Sequence, residues 1–133
     1  MSASYVRTTT RRWAAEVATS VGVPFYDTIN LAPTPTDNVW WTVSFTSESH
    51  EGTFCKPGYI ENGFISVVVM ARPGRGDAEA ITAMESIIPA LDAKIDPTQR
   101  LVLKNYEPLD EDSAGSADSM YRVQVVVNYA HSL

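Results

Sequence analysis

The sequence has little of what catalytic signatures are built from. Cys55 is the only cysteine in 133 residues, and the only histidines are His50 and His131. A single cysteine excludes an intramolecular disulfide and gives no reason to place the chain in an oxidising compartment. Cations are scarce as well: 10 Lys and Arg stand against 16 Asp and Glu, a formal net charge of -6. Nucleic acid is held by clustered Lys and Arg, so this balance argues against a nucleic-acid partner. The only basic cluster is Arg7, Arg11 and Arg12. No run approaches the roughly 18 apolar residues of a membrane span, and the opening MSASYVRTTTRRW lacks the apolar core of a signal peptide. The expectation is a protein made and folded in the cytoplasm, with no membrane partner.

What is present is an ordinary globular balance, 44% hydrophobic and 20% charged, in a length that suits one domain spanning residues 1–133. Trp13, Val17 and Val21 recur every four residues beside Ala14 and Ala18, predicting a helix from about Thr8 to Ser20 that stops at Gly22 and Pro24. Residues 23–38 carry Pro24, Pro33 and Pro35 without periodicity and read as an extended connector. From Val39 to Phe45 the pattern alternates, Val39, Trp41, Val43 and Phe45 against Trp40, Thr42 and Ser44, which predicts a half-buried strand. Residues 46–62 are polar and read as a long hairpin loop. Phe64 to Ala71 is apolar on both faces except at Ser66, the mark of a central strand.

Asp77 is a suitable N-cap for a helix from Ala78 to about Leu91, with Ile81, Met84, Ile88 and Leu91 on one face and Ala80 and Ile87 flanking. Pro89 should kink or end it, because proline lacks the backbone donor and crowds the preceding turn. Arg100 to Tyr106 reads as a strand and residues 107–118 as an acidic loop. Ser119 to Ala130 forms a last strand with Tyr121, Val123, Val125, Val127 and Tyr129 on one face. The fold class is therefore α+β: an antiparallel or mixed four-stranded sheet with two helices on one face, in the order α-β-β-α-β-β. Two helices cover one sheet face, yet the strand from Phe64 is apolar on both. The uncovered face needs the 46–62 loop or another subunit to shield it.

Chemistry-bearing motifs are weak. His50, Glu51 and Cys55 are the only place where base and nucleophile types meet, and the zinc-protease spacing HExxH fails because residue 54 is Phe. Arg72-Pro73-Gly74-Arg75-Gly76 precedes a helix start, but it has neither the Lys-Ser/Thr pair of a phosphate loop nor GxGxxG, so it reads as a turn. Glu107, Asp110, Glu111 and Asp112 lack calcium-loop spacing and read as a solvated loop or one that docks on a basic partner. Of the neighbours Trp40 and Trp41, which point to opposite faces, at most one is a core anchor. No catalytic, metal or cofactor-binding residue is assigned, and the chain is not expected to be an enzyme.

The run from about Val23 to Leu91 resembles the bacteriophage tail-terminator-like proteins. The resemblance rests on the proline-containing lead-in INLAPTPTDN, the aromatic strand VWWTVSF, a long polar loop, the strand opening Gly63-Phe64, and the Pro73-Gly74-x-Gly76 turn into an amphipathic helix. It covers about half of the chain. It implies a virion structural protein from a phage or prophage, assembled in the host cytoplasm as a hexameric ring. Such a ring caps the tail tube, stops its growth and then meets the head-neck connector. The implied partners are further copies of the chain, the tail tube protein and the connector protein, with no cofactor. Trp40, Phe64, Arg72 and Arg75, together with the acidic loop residues Glu107, Asp110, Glu111 and Asp112, are the expected interface residues. The alternatives are a monomeric module binding a small ligand or peptide on the concave sheet face, and another neck or head-tail connector component.

Overall fold

The computed structural model describes residues 4–27, 37–53, 56–72, 78–108 and 121–132. Helix α1 (Ser4–Val21) is followed by the hairpin β1 (Val39–Glu51) and β2 (Ile60–Ala71), helix α2 (Ala78–Asp92), and the hairpin β3 (Leu101–Pro108) and β4 (Tyr121–Ser132). The four strands form one antiparallel sheet in the order β1-β2-β4-β3. The fold is α+β with two helices, as the residue pattern predicts, and both helices pack on the same sheet face.

Period-two patterning sets which face is the core. Trp41 and Val43 from β1, Ile65, Val67, Val69 and Ala71 from β2, and Val123, Val125, Val127 and Tyr129 from β4 are buried against α1 and α2. Trp41 is completely buried, its indole N–H donating to the Val23 carbonyl at 3.0 Å and its ring meeting Phe25 at 4.9 Å. Burying such a side chain contributes on the order of 2–3 kcal/mol. The same stretch lies along the β1 edge: Trp41 N–H donates to Pro24 and Tyr26 N–H to the Trp41 carbonyl, so the connector pairs with the sheet there rather than running free.

Several boundaries differ from the expected ones. Helix α1 begins at Ser4, a turn early, because Val6 is fully buried and the Tyr5 hydroxyl is anchored to Asp96 at 2.7 Å. It ends where expected, with Gly22 at φ 78° and its N–H returned to the Ala18 carbonyl, the left-handed cap that glycine adopts without penalty. The polar region after Phe45 is mostly ladder, not loop: β1 runs on to Glu51, β2 starts at Ile60, and a bulge between Ser47 and Ser49 adjusts the register. Helix α2 continues through Pro89 to Asp92, since a proline in the last turn forfeits a single backbone bond. Its buried line is Ala80, Ala83, Met84, Ile87 and Leu91, leaving Ile81 and Ile88 only partly buried. The expected N-cap Asp77 lies outside the described residues.

Candidate interaction surface and a buried polar cluster

Register places the side chains of the second sheet face in rows. Trp40 of β1 pairs with Met70 of β2, which pairs with Arg122 of β4; Thr42, Val68 and Gln124 form the next row. Ser44, Ser66, Val126 and Glu107 follow across four strands, then Thr46, Phe64, Asn128 and Lys104. The centre of this face is apolar, with Met70, Val68, Val126 and Phe64 half-buried, and the flanks are polar. Neither helix lies on it, because both pack on the opposite side.

Three of the expected interface residues, Trp40, Phe64 and Glu107, share this face. Trp40 is buried, edge-on to Tyr26 with ring centroids 5.9 Å apart, while Glu107 is exposed. Arg72 sits just past the end of β2, where its N–H donates to the Asn38 carbonyl at 2.9 Å. Arg75, Asp110, Glu111 and Asp112 lie outside the described residues, as does Cys55. His50 and Glu51 are exposed at the end of β1, with the His50 ring 6.1 Å from that of Tyr59. The basic cluster is partly tied into the fold. The Arg7 and Arg11 guanidinium carbons stand 5.2 and 5.4 Å from the Phe45 ring centre, and Arg11 pairs with Asp27 at 2.9 Å.

The sequence reading missed a cluster at the opposite end of the core. Glu61 and His131 are directly opposed in β2 and β4, and both are buried, at 0% and 2% exposure. The Tyr129 hydroxyl donates to Glu61 Oε1 at 2.8 Å, and His131 Nδ1 stands 3.8 Å from Glu61 Oε2, beyond hydrogen-bond range. The Tyr5 ring stacks on His131 at 5.4 Å. Beneath it Asp96, 3% exposed, accepts bonds from Tyr5 Oη, Thr98 N, Thr98 Oγ1 and Leu101 N. Burial alone would raise the Asp96 carboxyl, but these four donors outweigh it and hold its pKa at about 2. For His131 burial is the largest influence. With Arg100 it outweighs the attraction of Glu61 and Asp96, so the imidazole is held below its ordinary range.

No sequence signal marks this cluster as a unit, since its members are far apart in the chain: Glu61 and His131 meet through β2–β4 pairing, and Tyr5 and Asp96 through the packing of α1 and the α2–β3 connection. The cluster ties the start of α1, the α2–β3 connection and the ends of β2 and β4 together. It is a structural clamp. Among the described residues no group of three His, Cys, Asp or Glu is placed to hold a metal ion. No helix among them is long and apolar enough to cross a membrane.

Among the described residues two grooves flank α2. One, of about 430 Å³, lies between the end of α1, the start of β1 and α2, lined by Val21, Val23, Val39, Ala83 and Glu79 among others. The other, of about 520 Å³, runs between α2 and β3 past Met84, Ile88, Pro89 and Tyr106.

No protein-family model and no curated protein matches the chain. A solved structure of a protein known only by a sequence identifier has the same fold, with a TM-score of 0.62 at 14% identity, over 100% of this chain and 97% of that one. At that identity the likeness concerns the fold, end to end. It assigns no activity.

Proposed function

We propose that this protein is a structural component of a phage tail that caps the tail tube as a homo-oligomeric ring and joins it to the neck. The observation that carries the reading is the second sheet face, apolar at its centre and covered by neither helix. A contiguous apolar face left open on a small domain is normally an association surface. The resemblance of the segment from Val23 to Leu91 to tail-terminator-like proteins names the assembly, and the six-subunit ring is part of the same reading. The task is physical rather than chemical: one surface of the ring matches the last ring of the tube, and the other does not accept another tube subunit.

The test is to add the purified protein to growing tubes of the tail tube protein from the same phage and image them by negative stain. The reading predicts tubes of arrested length with density at one end. Tubes that lengthen unchanged, with bare ends, would overturn it. A second reading, a monomeric ligand-binding module, has in its favour the apolar groove beside α2. That groove lies on the helical side of the sheet and not on the face expected for it. A module of this kind predicts bare tubes and saturable uptake of a small apolar ligand.

A further inference from the structure

The imidazole of His131 is covered by the end of a helix. His131 is 2% exposed, and the Tyr5 ring from the first turn of α1 lies on it, with centroids 5.4 Å apart and planes at 21°. The Tyr5 hydroxyl is itself pinned, donating to Asp96 at 2.7 Å. Among the described residues, the titratable and charged groups around the imidazole are Tyr5 of α1, Glu61 of β2, Tyr129 of its own strand, and Asp96 and Arg100 of the α2–β3 connection. β3 opposes it with Leu101, which carries no charge. Burial resists a proton on the ring most strongly and Arg100 adds to it; Glu61 and Asp96 attract one, and burial prevails. A charge placed there gains by reaching water.

Two routes lead out. Parting β2 from β4 breaks a continuous ladder from Ile60 to Ala71 in the middle of the sheet. Lifting the first turn of α1 breaks less: the Tyr5 stack, the Tyr5–Asp96 bond, the burial of Val6, and the helix bonds that the amides of Thr8 to Thr10 donate back to residues 4–6. Helix ends open first in any case, since the N–H groups of the first turn have no partner within the helix. Beyond that turn α1 stays held by buried Trp13, Ala14 and Val17 and by the Lys94–Glu16 pair at 2.7 Å. We infer that the first turn of α1 is an acid-opened cover over His131, closed at neutral pH and lifted when the imidazole takes up a proton. An uncovered imidazole titrates near 6.5 and the covered one below it, so the open form binds the proton first and is favoured as pH falls through 6.5. The device does not rest on the ring reading, because the second sheet face lies on the opposite side from α1.

The experiment is amide hydrogen exchange read residue by residue by NMR between about pH 7.5 and about pH 5, corrected for the intrinsic pH dependence of exchange, with the His131 ring protons followed in the same samples. In wild type, protection of Thr8, Thr9 and Thr10 is expected to fall roughly tenfold or more, with the midpoint of the His131 titration, while Val67 and Val125 in the β2–β4 ladder keep theirs. Folded His131→Asn loses this response and leaves the exposed His50 to titrate as before. Tyr5→Phe keeps the stack and loses the Asp96 bond, so it lowers protection of the same three amides at both pH values and keeps the response. Equal protection in wild type at both pH values overturns the cover. A loss shared in equal factor by Val67 and Val125 also overturns it, because acid then loosens the whole fold. So does a loss whose midpoint departs from that of His131, a comparison made within wild type that needs no variant to fold.

Discussion

Tyr129 lies across Gly63. The two are directly opposed in β4 and β2, and a Cβ at position 63 would stand 2.8 Å from the Tyr129 hydroxyl and collide with the Thr46 carbonyl oxygen. The missing side chain is what lets the phenol cross β2 and reach Glu61 at 2.8 Å. A glycine in a central strand costs backbone entropy and leaves a gap, and here the gap is filled by the opposed aromatic.

Gly63→Ala is therefore expected to destabilise the fold by roughly 2–4 kcal/mol, since the clash is partly with backbone and cannot be relieved by a rotamer change. Urea denaturation measures it. A loss under about 0.5 kcal/mol would show that the two strands are not held this close.

Tyr129→Phe keeps the ring over Gly63 and removes the hydroxyl that donates to a carboxylate with no exposure. A bond to a charged acceptor of this kind is worth about 1.5–3 kcal/mol, and the same denaturation assay reads the loss. The substitution should leave association through the second sheet face unaffected, which separates the clamp from the interaction surface.

Acid should weaken the protein in two stages. His131 has its pKa lowered by burial, so the unfolded chain takes up a proton before the folded one does, and stability falls as pH drops below about 6.5. Asp96 is depressed from 3.8 to about 2, so its contribution is present above 3.8 and is lost as pH falls from there toward 2. For Asp96 the amount is on the order of 2 kcal/mol. Denaturation at stepped pH tests both. His131→Asn should flatten the first stage, and Tyr5→Phe should shrink the second. A wild-type profile flat from pH 7 to 5 would contradict the His131 assignment.

Val68→Asp places a charge at the centre of the second sheet face without touching the core, because Val68 points away from both helices. It should lower self-association at least tenfold while changing stability by about 1 kcal/mol or less. Unchanged association would remove this face as the assembly surface.

How much of this was legible in the sequence follows from where the information sits. The alternation from Tyr121 to Tyr129 and the doubly apolar run from Phe64 to Ala71 declare strand, face and central position, because burial imposes a period of two. The continuation of β1 from Thr46 to Glu51 does not, since a mostly exposed ladder places no apolar demand on either face. The register of α2 was only partly legible: Ile81 and Ile88 look like core residues by type, yet small Ala80 and Ala83 take the buried line where the helix approaches the sheet. Of the site, Trp40, Phe64 and Glu107 fall on one face as alternation allows, whereas the pairing of Glu61 with His131 depends on a β2–β4 register that no local pattern records.

The measurement that tests the central claim most directly is the solution mass of the purified wild-type protein by light scattering over a wide concentration range. The account predicts a concentration-dependent approach to a closed ring near six subunits. A strict monomer at every concentration, one that is also not recruited by added tail tubes, would contradict it.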